Sequence, residues 1–309
     1  MARNFSAARI AWRDVNGLIL LDKPQGLSSN QALQAVRRLL RAAKGGHTGS
    51  LDPLATGMLP LCLGEATKLA GGLLGANKAY IATACLGVNT DTDDAEGQVI
   101  QTRPLPMLGV AQIEHALAPL RGTIFQHPPI YSALKRDGEA QYARARRGEE
   151  VITQAREVQV NSLVCSRFEP PLLDLQIECG SGTYVRSLVR DLGEALGCGA
   201  HVTMLRRTWV DPFRGAQMQT LEGLQAMDED ALMACLLPVE HALAAWPRLA
   251  VSASDAARLG CGQPCAAEHE LAPGEVGLWL DERGLGLGRV DERGRVWPKR
   301  LFTWACATA

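Results

Sequence analysis

The run GGHTGSLDPLATGMLPLCLGEATK at residues 45–68 constrains the chain most, because it seats one carboxylate, Asp52, in an apolar segment punctuated by glycine. Leu51, Leu54, Ala55, Met58, Leu59 and Leu61 are the side chains expected to bury that segment. A carboxylate taken from water without a partner is costly, so it ends up paired, neutral or at work. One reading is local: an Asp before Pro53 favours turn initiation. Two neighbouring features favour a site instead. His47 stands five residues upstream in a Gly-His-Thr-Gly loop, and Gly45, Gly46, Gly49 and Gly57 free the backbone for positive φ or close contact with a ligand.

A chain of 309 residues that is 47% apolar has material for about two domains. The amino-terminal MARNFSAARIAWRD lacks the apolar core of a secretory signal, and no stretch nears the roughly 20 apolar residues of a membrane span. The expectation is a cytoplasmic protein that makes no membrane contact. Nine cysteines, an odd count scattered mostly through apolar runs, fit buried thiols better than a disulfide framework. Cys261-Gly-Gln-Pro-Cys265 reads as a turn, since no second Cys or His pair stands at zinc spacing, and no metal is expected. A net charge of −1 argues against a general nucleic-acid coat. Yet eight bases against two acids in residues 1–50, and four acids without a base in 91–96, allow one basic face on a neutral protein.

In chain order, Gly17–Leu21 reads as a short buried strand that turns out through Asp22-Lys23-Pro24-Gln25-Gly26. Ser28 or Ser29 caps a helix with Leu33, Val36, Leu39 and Leu40 on its apolar stripe, leaving Arg37, Arg38, Arg41 and Lys44 toward solvent or RNA. Alternation predicts strands over Lys78–Gly87 and Leu173–Cys179, and helices are expected over 111–121, after Thr183, and over about 221–237. Asp91 to Thr102 fails as a calcium loop, because its sixth and twelfth positions are Glu96 and Thr102. Beyond residue 250, short runs between glycines and Asp-Glu-Arg-Gly turns suggest a small β-barrel.

The run His47 to Gly57, continued by Leu63-Gly64-Glu65-Ala66-Thr67-Lys68, resembles the catalytic signature of the TruB family of bacterial tRNA pseudouridine synthases. Lys23-Pro24, Lys78-Ala79-Tyr80, the TDTDDAEG run at 90–97, the PPIYSALK run at 128–135, GTYVRSL at 182–188 and Leu205 are similar to further motifs of that family. The resemblance implies an α+β fold: a catalytic domain over 1–245 with a mixed, largely antiparallel sheet flanked by helices, and a PUA-like β-barrel over 246–309. An RNA-gripping arm is implied over about 126–155, where Arg144, Arg146 and Arg147 interleave with Tyr142.

It further implies isomerisation of uridine 55 in the tRNA T-arm, with Asp52 as nucleophile. Arg186 would pair with that acid, Tyr80 and Tyr184 would flank the flipped base, and Leu205 would line the uracil pocket. His47 would fill the vacated stack, while Lys23 and Pro24 brace the loop. The TDTDDAEG acids would lie near the site and hold basic side chains. Arg206 and Arg207 are offered to phosphates, and His201 is read as structural. The reaction involves neither redox chemistry nor phosphate transfer, so no cofactor is expected, and nothing in the sequence demands a partner chain: the expectation is a monomer acting on tRNA. Whether the carboxylate attacks C6, attacks C1′ or removes a C2′ proton stays open. The alternatives are a non-catalytic RNA-binding or RNA-folding protein, and a metal-dependent hydrolase using the acids of 91–96.

Overall fold

The structure is a computed structural model that describes residues 11–131, 147, 149, 153–266 and 271–306, with two further two-residue strands at 135–136 and 139–140. Half of the arm, including Tyr142, Arg144 and Arg146, therefore lies outside the described residues.

The first strands are β1 (Gly17–Lys23), β2 (Gly45–His47), β3 (Thr56–Leu63) and β4 (Lys78–Leu86), with a small hairpin of β5 (Val88–Thr90) and β6 (Val99–Thr102). Then come β7 (Gly122–Gln126), the pair β8 (Lys135–Arg136) and β9 (Glu139–Ala140), β10 (Arg156–Glu169), β11 (Leu172–Cys179), β12 (Ala200–Val210) and β13 (Gln219–Thr220). Nine of these form one sheet in the order β13-β1-β3-β12-β4-β11-β10-β7, with β2 attached to β3. Only β1 with β13 and β3 with β12 run parallel, so the sheet is mixed and largely antiparallel.

Burial explains the sequence texture of these strands. On one side Ile19, Leu21, Leu59 and Leu61 join a core with α1 (Ser29–Leu39), α3 (Val110–Leu117) and α4 (Val185–Ala195). On the other, Leu18, Leu20, Met58 and Cys62 pack with Phe213, Trp279, Leu287 and Phe302. Strands covered on both faces read as continuous apolar runs, which is why β1 and β3 show no alternation. Farther along, β11 is covered on one face and keeps strict alternation, with Leu173, Leu175, Ile177 and Cys179 buried.

Helix α1 starts where Ser28 accepts the N–H of Gln31 while the Gln31 side chain accepts the N–H of Ser28, a reciprocal cap. Its basic residues are more engaged than expected. Arg37 stacks on Trp12 with 4.5 Å to the ring centroid and donates to the carbonyls of Ala42 and Ala43, and Arg13 and Arg41 share Glu229. Arg38 and Lys44 are the two left exposed. The expected helix over 111–121 ends at Leu117 and tightens into a 3-10 turn, after the short α2 (Ala70–Leu73) earlier in the chain. The single helix expected over 221–237 is instead α5 (Leu221–Ala226) and α6 (Glu229–Ala234), because Asp228 caps a new start on the N–H of Ala231.

After α7 (Glu240–Leu243), the strands β14 (Arg248–Ala250), β15 (Cys265–Ala266), β16 (Gly274–Leu280), β17 (Arg283–Val290) and β18 (Arg295–Leu301) form a five-stranded sheet, order β14-β16-β17-β18-β15, curled into a half-barrel. The helices α8 (Ala253–Gly260) and α9 (Thr303–Cys306) close it. The small β-rich unit expected at this end is thus present. All nine cysteines are free, and no helix among the described residues is long and apolar enough to cross a membrane.

Candidate active site

Asp52 lies in the loop between β2 and β3, and that loop is fixed from two directions. Ser29, first residue of α1, accepts the N–H of Leu51 at 2.7 Å and donates to its carbonyl at 3.1 Å. Lys23, fully buried at the end of β1, donates to the carbonyls of Pro24 at 2.8 Å, Leu27 at 2.6 Å and Pro53 at 3.5 Å. With the carboxylate held behind it, burial lowers the Lys23 pKa to about 8, although Asp52 and Glu96 pull it up. At Gly57 the strand crosses the parallel β12 so closely that a Cβ would meet the Arg207 carbonyl oxygen at 2.2 Å, and φ is +96°. Only glycine fits there.

The sheet and α4 bring Asp52 into the floor of a cleft of about 490 Å³, whose walls include Tyr80, Tyr184, Arg186 and Leu205. Arg186 Nε lies 3.0 Å from Asp52 Oδ2, an ion pair. Its other donors reach the Thr92 carbonyl at 2.8 Å, the Tyr131 carbonyl at 2.9 Å and Asp94 Oδ2 at 3.3 Å. The expected pairing of Arg186 with Asp52 is present, and the guanidinium is shared by two carboxylates. Solvent reaches the Asp52 side chain through the cleft mouth, leaving it 42% exposed, but protein packs round the cleft floor. Burial is the largest influence and raises its pKa above the ordinary carboxylate value; Arg186 pulls it back, Asp94 raises it again, and Lys23 pulls it down. Burial outweighs the arginine, so the carboxylate is more basic than a surface Asp.

Tyr80 is buried on β4 with its phenol against Arg207, and burial raises its pKa. Leu205, on β12, is 6% exposed. His47 ends β2 and is absent from the cleft lining; its Nδ1 is buried without a hydrogen-bond partner among the described residues, and burial, then Arg207, lowers its pKa. Pro24 contributes its carbonyl to Lys23.

Two arginines offered to phosphates are otherwise engaged. Arg206 holds Asp22 through two bonds of 2.9 and 2.8 Å, on the face opposite Arg207. Arg207 is 1% exposed and donates to the carbonyls of Met58 at 2.7 Å and Gly49 at 3.1 Å. Strand alternation, which put successive arginines on opposite faces, was the signal available for separating them. Lys78 at the cleft was also not foreseen: it bonds the carbonyls of Leu74 and Ala76, and burial lowers its pKa to about 8. In the acid loop, Asp94 meets Arg186 and Asp93 meets Arg190 at 3.0 Å, so these acids hold basic side chains as expected. Among the described residues no group of three His, Cys, Asp or Glu could hold a metal. His201 bonds the Val88 carbonyl at 2.9 Å.

The mixed sheet and this cleft have the architecture of a pseudouridine synthase. Residues 37–185 match the model described as the TruB family pseudouridylate synthase N-terminal domain, residues 186–244 the tRNA pseudouridylate synthase B C-terminal domain, and residues 247–302 the pseudouridine synthase II TruB C-terminal region. The chain belongs to the TruB family. It is 54% identical over 304 residues to tRNA pseudouridine synthase B of Xanthomonas campestris pv. campestris (strain B100), covering 97% of this chain and 98% of that one. To the Pseudomonas aeruginosa (strain UCBPP-PA14) protein of the same name it is 48% identical, covering 94% and 97%. Among solved structures, a Cbf5-Nop10-Gar1 complex aligns with a TM-score of 0.69 at 26% identity, over 89% of this chain and 78% of that one.

Proposed function

We propose that this chain isomerises uridine 55 in the T-arm of tRNA to pseudouridine, with Asp52 acting on a base flipped out of its loop. Pseudouridylation of tRNA is the activity in the names of relatives 48–54% identical over nearly the whole chain. The observation that carries the reading is the 3.0 Å ion pair between Arg186 and Asp52 in a cleft walled by Tyr80 and Leu205.

In this reaction the C1′–N1 bond breaks, uracil turns, and C5 joins C1′; the C5 proton leaves and N1 takes one up. Attack on C1′, attack on C6 and removal of the C2′ proton all require the ionised carboxylate, and Asp52 supplies it. Arg186 aims it and offsets its desolvation. Tyr80 stacks on the base, a contact worth roughly 1–3 kcal/mol, with Leu205 against the uracil edge and Tyr184 on the far side. His47, at the rim of the same loop, takes the place the base leaves, and extrusion costs a few kcal/mol. Lys23 and Pro24 keep the Asp52 loop in register. The catalytic domain spans 1–245 and the PUA-like unit 246–309, working as a monomer on tRNA in the cytoplasm without a protein partner.

The test is incubation of the protein with unmodified tRNA transcript in chelator, followed by chemical mapping of pseudouridine, with a transcript carrying cytidine at position 55 as control. One new pseudouridine at 55, absent from the control, is expected. RNA binding without any conversion would instead make this an RNA-binding or RNA-folding protein.

A further inference from the structure

Gln126 is the last residue of β7 and is 1% exposed. Its carboxamide makes two bonds, both to the backbone of Tyr184: Nε2 donates to the Tyr184 carbonyl at 3.1 Å, and Oε1 accepts the Tyr184 N–H at 2.8 Å. Tyr184 is the N-cap of α4, and its own side chain makes no capping bond to that helix. The entry to the helix is therefore oriented by a side chain from another strand. Two residues on, Arg186 reaches Asp52. The segment following Gln126 is held by the same two helical turns, because His127 O accepts from Ser187 at 2.8 Å and Arg190 at 3.0 Å, and Tyr131 O accepts from Arg186 at 2.9 Å.

We propose that Gln126 is a positioning residue for the isomerisation: by clamping both polar backbone groups of Tyr184 it sets the first turn of α4, and with it the guanidinium that aims Asp52. This rests on the activity proposed above. The Gln126 carboxamide is buried and its two bonds to Tyr184 are part-buried, so losing it takes from the Tyr184 N–H the acceptor that orients it. A misplacement of about 1 Å at a reacting group costs on the order of 10²-fold in rate, and that loss falls mainly on turnover, since the displaced guanidinium aims the reacting carboxylate while Tyr80, Leu205 and His47 are untouched.

Two variants separate orientation from packing. Gln126→Met keeps the side-chain volume and removes both bonds; Gln126→Glu keeps the acceptor and regains the donor only when protonated. The charged groups on the elements packed there are Arg186, Arg190, Asp191 and Glu194 on α4, and Arg156, which pairs with Gln126, with Glu157, Arg167 and Glu169 on β10; His127 follows Gln126 in the chain. Single-turnover conversion of tRNA transcript is measured beside the dissociation constant for the same RNA and the melting temperature. For Gln126→Met, kcat is expected to fall by about 10- to 100-fold, with RNA affinity within about threefold of wild type and the protein folded at the assay temperature. For Gln126→Glu, kcat relative to wild type rises as pH falls from about 8 to about 5, as the acid form restores the missing donor. A Met variant within about twofold of wild type in kcat, or a Glu variant whose ratio to wild type is flat with pH, overturns the proposal. Should the Met variant fail to fold, the Glu ratio decides alone. Wild-type conversion in the same assay distinguishes the two failures: if wild type leaves position 55 unmodified the proposed activity falls, whereas if wild type converts it and both variants match, only the role of Gln126 falls.

Discussion

Arg186 with Asp52 in the cleft, and Arg295 with Asp291 in the C-terminal sheet, are ion pairs of one length, 3.0 Å from Nε in each. Their carboxylates titrate in opposite directions. Asp291 sits in a turn, where the N–H of Arg295, the Trp297 indole and the N–H of Arg293 hold its pKa below the ordinary value. Asp52 is raised, because burial is the largest influence on it and a second acid, Asp94, shares its arginine. Donor number and desolvation, more than pair distance, decide whether a carboxylate is settled or reactive. The settled one closes a turn; the reactive one faces a cleft.

Removing the arginine from each pair gives the sharpest contrast. Arg186→Ala leaves Asp94, with its side chain 4% exposed, and Asp52 without their shared partner, and should cost about 3–5 kcal/mol in urea unfolding. A loss below about 1 kcal/mol would place the Arg186 pair in the same class as surface pairs.

The pH dependence follows next. Asp52 has a folded pKa above its unfolded value, so the folded state binds the proton more tightly between those two values, and stability falls as pH rises through that window. Activity moves the other way, since the ionised form works: the acid limb of kcat should lie above the usual carboxylate range, and Asp52→Asn should melt no lower than wild type at pH about 7. Asp291 has the reverse sign, its contribution being present above the ordinary carboxylate pKa and lost as pH falls. An acid limb at the ordinary Asp value would erase the distinction between the two.

The smallest effect belongs to the exposed pair. Arg295→Ala, from a side chain 47% exposed, should change stability by less than about 1 kcal/mol and leave kcat unaltered.

The same contrast marks what was legible in the sequence. Features set by local chemistry could be read directly: the alternation of Leu173 to Cys179, the Ser28 cap, and a carboxylate at Asp52 too expensive to be idle. Arg186 and Tyr80 became readable as its partners only through the family resemblance, because their meeting depends on β12 pairing with both β3 and β4 and on α4 packing against that pair. The sharing of Arg186 by Asp94 was not legible, since a run of four acids on a turn looks the same whether solvated or folded against a buried guanidinium. Nor was the fate of Arg206 and Arg207, whose neighbours Asp22 and Met58 come from strands far away in sequence. The break between α5 and α6 could have been seen, because Asp228 is a good N-cap inside an otherwise helical run.

The central claim is that Asp52 performs the chemistry and does not merely complete a fold or an RNA surface. Conversion of tRNA transcript by Asp52→Asn, measured beside its affinity for the same RNA, tests it most directly. The account predicts affinity within a few-fold of wild type and turnover reduced by more than about 10³-fold. Wild-type turnover in the Asn variant would contradict it.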